Sequence, residues 1–351
     1  MNEINYKILF IRRQGKIGMN YIGSKLSLKS FIKDTILEIS KIDNENKVFA
    51  DLFAGTGVIG SEFKKMGYKV IANDIQHYSY ILNKHFIENN SPINIELLEH
   101  LNSIEGKEGF IYNNYCIGSG SERNYFSDFN GKKCDAIRQE LEKLYRDKAI
   151  DEHQYNYFLA SLINSIDKHA NTASVYGAFL KSLKKSAVKD FELELLPIID
   201  GNKDGKAYNE DINILIKKIK GDILYLDPPY NARQYSANYH LLETISRYDD
   251  PIIKGKTGLR DYSNQKSKFC SKSQVNQVFE ELISDADFKY IFLSYNDEGL
   301  MSLETIKEIM GKYGKYQCFT TDYKRFRADK EENRNHKKSS TIEYLHCLIK
   351  N

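Results

Sequence analysis

The sequence predicts an α/β fold, a doubly wound parallel sheet with a smaller, mainly helical domain inserted into it. Short apolar strand patterns alternate with helix patterns over residues 20–90, and again after residue 203. That order is typical of parallel sheets. Residues 91–202 contain helix patterns but few strand patterns. We therefore predict one domain formed by residues 1–90 and 203–351, with residues 91–202 inserted as a second domain.

The helices and strands up to residue 90 are predicted from the spacing of apolar residues and from residues that cap or end helices. Ser24 is placed to cap the first helix, and Gly67 is placed to end the second. Gly55 and Gly57 predict a tight loop between a strand and a helix. The predicted strands are residues 48–53 and 69–72, and the predicted helices are residues 24–40, 58–66 and 75–88.

The later elements follow from the same patterns. In the insertion, two helices with apolar faces are predicted at residues 135–148 and 154–169. After residue 203, strands are predicted at 223–226, 290–294, 316–321 and 341–349, and helices at 237–247 and 302–312. The last two strands suit an antiparallel pair that closes the sheet. Polar, charged residues predict loops at 251–273 and 322–340.

The composition predicts a soluble protein of the cytoplasm. The 351 residues are 41% hydrophobic, and no apolar run approaches the roughly 18 residues that span a membrane. Five scattered cysteines, without a C-x-x-C pair, predict a reducing compartment and no metal site. Residues 254–272 contain six Lys or Arg against one acid, and residues 312–338 contain nine against four. Each cluster is either a solvated surface or a phosphate contact.

A glycine-rich loop after the first strand predicts a cofactor that contains adenosine. Gly55, Gly57 and Gly60 have the spacing of dinucleotide-binding loops, and Asp74 stands where a carboxylate can bind ribose hydroxyls. A structural glycine turn is the alternative. Asp51 favours S-adenosylmethionine over a dinucleotide, because a carboxylate there would repel a pyrophosphate but attract a cationic amino-acid group.

The segment Asp227, Pro228, Pro229 and Tyr230 follows a buried strand. Two prolines restrict the backbone and remove N–H donors, so the segment is predicted to be a rigid loop. It offers a carboxylate, backbone carbonyls and a flat ring. These groups suit a planar base that carries an exocyclic amine, whereas the alternative is a turn that only ends the strand.

Together these motifs resemble the Dam-like (D12 class, alpha group) DNA adenine-N6 methyltransferases. The matching pieces are N-Y-I-G-S-K at residues 20–25, D-L-F-A-G-T-G at 51–57, N-D at 73–74 and D-P-P-Y at 227–230. Residues 235–243 and 292–296 resemble later motifs of the family. Residues 233–244 are similar to restriction-modification methyltransferases of the M.FokI and M.NlaIII kind.

The resemblance implies a Rossmann-like, S-adenosylmethionine-dependent enzyme that methylates a specific site in double-stranded DNA, with a cognate restriction endonuclease acting separately. It implies that the target adenine flips out of the duplex and stacks on Tyr230. Asp227 and the Pro228 carbonyl then accept hydrogen bonds from the N6 amine, at a position fixed by the two prolines. The implied cofactor contacts are Tyr21, Lys25, Asp51, Phe53, Gly55, Gly57, Asp74, Asp211 and Ile212. For Asp211, a surface acid without this role is the alternative.

Sequence recognition is predicted to come from the inserted domain. Arg123 and Asn124 lie in a segment rich in small residues and can contact guanine and adenine edges, with a solvated loop as the alternative. Lys324, Arg325 and Arg327 are expected to contact phosphates. Three other activities stay open: an RNA or cytosine-N4 methyltransferase on the same fold, a nicotinamide-dependent oxidoreductase, and a catalytically silent DNA-binding subunit.

Overall fold

The computed structural model describes residues 19, 21, 23–41, 47–90, 94–324 and 340–351. These residues form two compact units. The sheet unit comprises Ile22–Glu88, Ile199–Asn238 and Tyr262–Asn351, whereas the insertion unit comprises Asn89–Ile198, Tyr239–Asp261 and Tyr21. The predicted domain limits at 90 and 203 stay a prediction. The insertion unit also includes Tyr239–Asp261, a segment whose sequence pattern places it in the other predicted domain.

Among the residues described above, the sheet unit contains a seven-stranded, mostly parallel sheet. Its strands are β1 Val48–Asp51, β2 Lys69–Asn73, β3 Lys206–Tyr208, β4 Lys220–Leu226, β7 Asp287–Asn296, β8 Gly314–Lys324 and β9 Ser340–Lys350. They are ordered β3-β2-β1-β4-β7-β9-β8, and only β9 runs antiparallel to its two neighbours. The predicted α/β class and the closing antiparallel pair are confirmed. The short β3 was not predicted, because Lys206–Tyr208 lacks an apolar run.

Helices cover both faces of this sheet. They are α1 Lys29–Ser40, α2 Val58–Lys65, α3 His77–Asn83, α8 Ile212–Leu215, α9 Tyr235–Asn238, α11 Val275–Asp285 and α12 Leu303–Gly311. In β4, the four consecutive residues from Ile223 to Leu226 are all buried, as expected for a strand covered on both sides. The predicted cap at Ser24 is wrong. Its side chain makes no capping hydrogen bond, and a 3₁₀ turn at Lys25–Ser27 precedes α1.

The insertion unit is mainly helical. It contains α4 Ile95–Ser103, α5 Phe110–Tyr115, α6 Asp128–Arg146, α7 Glu152–His169 and α10 His240–Arg247, with a hairpin of β5 Ile253–Lys254 and β6 Leu259–Arg260. No helix is predicted before residue 135 of this unit, but α4 and α5 form there. Helix α6 also begins earlier than predicted, because the Ser127 side chain accepts the N–H of Asn130 and caps it.

Two further structural facts bear on function. Within the described ranges, no helix is both long enough and apolar enough to cross a bilayer. In the same part of the chain, no group of three or more His, Cys, Asp or Glu side chains is arranged to hold a metal ion.

Candidate active site

The sheet topology brings the predicted motifs together within the sheet unit. Strand β1 lies between β2 and β4, and all three run parallel. Their carboxyl ends therefore meet at one edge of the sheet, where α/β proteins bind ligands. The glycine loop follows β1, Asp74 follows β2, and Asp227 follows β4.

The glycine loop has a backbone that requires glycine. Gly55 and Gly57 have φ angles of 50° and 75°, in the left-handed region. A Cβ atom at Gly57 would also lie 2.9 Å from Oδ1 of Asn83. Gly57 immediately precedes α2, so the loop ends at a helix N-terminus, which favours negatively charged groups.

Asp74 holds the glycine loop in place. Its Oδ2 accepts the N–H of Gly55 at 2.9 Å, and its Oδ1 accepts the N–H of Gln76 at 2.9 Å. The side-chain amide of Asn209 donates to the Asp74 carbonyl at 2.7 Å. The predicted contact of Asp74 with ribose hydroxyls stays a prediction.

Asp51 is a buried carboxylate at the end of β1, with only 1% of its surface exposed. Its Oδ2 accepts the N–H of Gly60 at 3.2 Å, while Oδ1 has no hydrogen-bond partner in the described part of the chain. Burial, and then the charge of Asp227, raise the pKa of Asp51 to about 8. An acceptor that is buried without a donor suits a cationic ligand group.

The Asp227 side chain belongs to a buried cluster of four polar groups. Lys25 Nζ lies 3.0 Å from Asp227 Oδ1, 3.2 Å from Glu343 Oε1 and 2.5 Å from the Tyr230 hydroxyl oxygen. The Tyr230 hydroxyl is 2.9 Å from Asp227 Oδ1 and 2.5 Å from Glu343 Oε1. Two carboxylates therefore share one cation and one hydroxyl. We call these four residues the Lys25 cluster.

The cluster shifts the pKa values of its members. Burial, the largest cause, raises the pKa of Asp227, and the charge of Glu343 adds to this rise, while Lys25 opposes it. Burial lowers the pKa of Lys25, but Asp227 and Glu343 outweigh burial, so the net pKa of Lys25 is raised. A cation is thus retained beside a carboxylate that accepts protons more readily than an exposed aspartate.

The other predicted cofactor residues occupy varied environments. Phe53 makes an edge contact with the ring of Phe269, with centroids 5.1 Å apart. Asp211 is exposed, and its Oδ1 accepts the N–H of Asn213 and caps α8. Ile212 is buried in the core of the sheet unit. The predicted cofactor contacts of these three residues stay predictions.

Tyr21 belongs to the insertion unit. Its ring stacks on that of Tyr239, with centroids 4.6 Å apart. The predicted role of Tyr21 in the cofactor pocket stays a prediction.

Arg123, a predicted base contact, binds backbone carbonyls within the insertion unit. Its guanidinium donates to the carbonyls of Asn114, Gly255 and Lys256, at 3.1, 3.0 and 3.3 Å. Asn124 is buried, and its side-chain amide donates to the Leu180 and Lys181 carbonyls. Both side chains are therefore used within the protein, and their contact with DNA stays a prediction.

The predicted phosphate contacts lie at the edge of the described chain. The backbone of Lys324 ends β8, and its side chain is not described. Arg325 and Arg327 lie outside the described residues.

Glu343 is not among the site residues predicted from the sequence. It stands in β9, where the alternation of apolar residues identified a strand but no catalytic motif. A feature of the sequence that pointed to Glu343 is its position as a carboxylate inside a predicted strand. The structure shows that the residues that follow, Leu345 to Leu348, are buried. A carboxylate in such a strand requires a partner, and Lys25 supplies it.

Comparison with known proteins tests the resemblance. A family model described as the D12 class of N6 adenine-specific DNA methyltransferases matches residues 21–309. The type II methyltransferase M.NlaIII of Neisseria lactamica is 57% identical over 334 residues, which cover 95% of this chain and 99% of that protein. M.FokI of Planomicrobium okeanokoites is 42% identical over 88% of this chain, but this chain covers only 50% of M.FokI.

A viral relative has a similar length. M.CviAII of Paramecium bursaria Chlorella virus 1 is 36% identical, over 88% of this chain and 93% of that protein. The resemblance inferred from the motifs is confirmed. Because the family model and these relatives match most of its length, the chain belongs to the D12 class of N6 adenine-specific DNA methyltransferases.

Proposed function

We propose that the chain is the modification enzyme of a type II restriction-modification system and methylates the N6 amine of an adenine in a defined DNA sequence. The names of M.NlaIII, M.FokI and M.CviAII, all type II methyltransferases, support this role. A separate endonuclease that cuts the same sequence is the proposed partner. The cytoplasm, where both proteins would meet cellular DNA, is the proposed location.

The observation that carries the catalytic assignment is the position of Asp227. Its carboxylate is held by Lys25 and Tyr230 at the edge of the sheet where the glycine loop also ends. The N6 amine of adenine is a weak nucleophile, because its lone pair is conjugated with the ring. A hydrogen bond accepted by Asp227, and a second accepted by the Pro228 carbonyl, draw the nitrogen toward tetrahedral geometry and expose that lone pair. Positioning and electrostatics then supply most of the catalysis.

The residues around the glycine loop fit S-adenosylmethionine, the methyl donor of the chain. The unpaired, buried Oδ1 of Asp51 suits a positive group, and the N-terminus of α2 suits a carboxylate. Gly55 and Gly57 allow the backbone to approach the ligand closely. When bound, S-adenosylmethionine supplies an electrophilic methyl group on a sulfonium.

A second feature supports DNA binding, the turn of the β5–β6 hairpin in the insertion unit. Side chains from three other segments bind four successive carbonyls of this turn. Arg123 donates to those of Gly255 and Lys256. The other two bonds join the Thr257 carbonyl to His240 Nε2 at 2.9 Å and the Gly258 carbonyl to the Tyr115 hydroxyl at 2.7 Å.

These four bonds fix the backbone of the turn. The Lys254 and Lys256 side chains remain exposed at its tip. We propose that this rigid, basic turn contacts the DNA backbone. Arg123 then holds the turn in place.

Replacing both hairpin lysines with alanine (K254A/K256A) is expected to weaken DNA binding to any sequence. Each lost phosphate contact lowers the slope of log affinity against log salt by about 0.9, so the double variant should lose roughly two units of slope. Fluorescence anisotropy with a duplex, across a salt series, measures this slope. The matched control is K107A/K143A, which removes two exposed lysines of the same unit. An unchanged slope in K254A/K256A, or an equal change in the control, contradicts the assignment.

The proposed function is tested by the methylated nucleoside and by its sequence context. The purified protein is incubated with labelled S-adenosylmethionine and plasmid DNA, which is then digested and analysed by mass spectrometry. N6-methyldeoxyadenosine is expected, and N4-methyldeoxycytidine or preferential labelling of RNA would overturn the assignment. Long-read sequencing of DNA from expressing cells should place the modification in one short sequence. Methylated adenines without a shared context contradict the restriction-modification role.

A further inference from the structure

The Lys25 cluster contains one carboxylate more than the proposed chemistry uses. Asp227 is the acceptor for the adenine amine, yet its Oδ1 already faces two protein donors, Lys25 Nζ at 3.0 Å and the Tyr230 hydroxyl at 2.9 Å. Donors reduce the negative charge that a carboxylate can offer to another hydrogen bond. The acceptor strength of Asp227 therefore depends on what else these two donors bind.

Glu343 binds both of them. Its Oε1 lies 2.5 Å from the Tyr230 hydroxyl, compared with 2.9 Å for Asp227 Oδ1. A hydroxyl has one proton to donate, and the shorter contact is the one to Glu343. Burial, together with the charges of Asp227 and Glu343, raises the pKa of Tyr230 far above its usual range, so its hydroxyl stays protonated and serves as a donor.

Glu343 also shares the charge of Lys25. Its Oε1 lies 3.2 Å from Lys25 Nζ, close to the 3.0 Å that separates Nζ from Asp227 Oδ1. Glu343 is 4% exposed at its side chain, so water screens this interaction only weakly. The single cation therefore faces two carboxylates at nearly equal distance.

We infer that Glu343 is a positioning residue, which draws the Tyr230 proton and part of the Lys25 charge away from Asp227 and so keeps Asp227 a strong acceptor for the amine. Glu343 acts through Lys25 and Tyr230 and needs no contact with the DNA or the cofactor. This inference rests on the proposed methyl transfer at Asp227. It adds a residue of β9 to a site otherwise formed by the loops after β1, β2 and β4 and by the turn before α1.

The fall in activity at low pH, the acid limb of the pH profile, tests this role of Glu343. Protonation of Asp227 removes the acceptor, and the charge of Glu343 raises the pKa of Asp227. Loss of that charge should therefore move the fall in activity to lower pH. The titratable and charged groups that act on Asp227 are Lys25, Asp51, Tyr225, Tyr230 and Glu343.

The test compares Glu343→Gln, which keeps the size of the side chain, with Glu343→Asp, which keeps its charge. For E343Q we expect kcat to fall by about tenfold or more, as for the loss of a hydrogen bond to a charged group. The KM values for S-adenosylmethionine and DNA should change little, and the acid limb should move to lower pH. E343D should recover part of kcat and return the acid limb toward its original position.

The matched control is Glu281→Gln, which changes an exposed glutamate of the same unit and should leave kcat and the pH profile unchanged. Thermal unfolding confirms that each variant is folded. Wild-type kcat in E343Q overturns the inference. So does a loss of kcat without a shift of the acid limb, because that pattern describes a structural role. A wild-type protein that transfers no methyl group in the same assay overturns the proposed function instead.

Discussion

Asp227→Asn is expected to lower kcat for methyl transfer severely and to leave the protein folded. The amide keeps the shape of the carboxylate but loses the charge that polarises the adenine amine. Removing one preorganised electrostatic group from an active site typically lowers kcat by about 10²–10³-fold. The fold should persist, because Lys25 and Glu343 remain as a balanced pair 3.2 Å apart. The measurement is single-turnover transfer of labelled methyl to duplex DNA.

The appropriate control is Asp297→Asn, which removes an exposed aspartate after β7. It should transfer methyl at the wild-type rate. Binding of S-adenosylmethionine, measured by calorimetry, should survive in D227N, because Asp227 is assigned to the amine and not to the cofactor. Full methylation by D227N would show that Asp227 is not the acceptor for the amine.

Asp51→Asn should weaken cofactor binding and at the same time stabilise the free protein. Truncating one partner of a buried charge pair costs about 2–5 kcal/mol, so affinity for S-adenosylmethionine should fall by roughly 30-fold or more. Without ligand, the wild-type carboxylate is buried with an unpaired oxygen. Removing its charge should raise the melting temperature at pH 8 by about 1–2 °C for each kcal/mol recovered, as expected for a chain of 351 residues.

The pH dependence of this stabilisation has a definite sign. Asp51 has a pKa of about 8 in the folded protein and an ordinary value of 3.8. The folded state therefore binds the proton more tightly, and stability falls as pH rises from 3.8 toward 8. The advantage of D51N should be largest near pH 8 and should shrink as pH falls toward 4. An advantage that does not vary with pH would contradict the assigned pKa.

Cofactor binding gives an independent measure of Asp51. If a cationic group pairs with the carboxylate, binding near pH 7 should release a proton from wild type. Calorimetry in two buffers with different ionisation heats counts this proton. D51N should release none, whereas D297N should behave like wild type.

Much of the sheet unit could be predicted because local sequence determines it. The strand at Lys220–Leu226 ends in the apolar run Ile223–Leu226, and Asp227 and two prolines follow it directly. The glycine loop is equally local, since Gly55 and Gly57 adopt φ angles that favour glycine. Because β1 and β4 are neighbouring parallel strands, the loops that follow them lie at the same edge of the sheet.

The parts that could not be predicted depend on contacts between distant residues. Glu343 acquires its role from Lys25 and Tyr230, which no spacing pattern connects to it. The prediction that Arg123 contacts bases rests on its chemistry alone, whereas its bonds to carbonyls more than 130 residues away follow only from the fold. The hairpin that contains those carbonyls was expected to be a loop, because its two-residue strands are too short for a pattern.

The position of β9 has a consequence for the synthesis of the enzyme. This strand lies between β7 and β8, and it carries Glu343, which is 113 residues beyond Tyr230. A nascent chain in which the glycine loop and Asp227 have been synthesised still lacks Glu343, the second carboxylate of the Lys25 cluster. Its sheet also cannot join β8 to β7 until β9 is inserted. The Lys25 cluster is therefore complete only after β9 has been synthesised, and chains that stop before Glu343 should be poor methyltransferases.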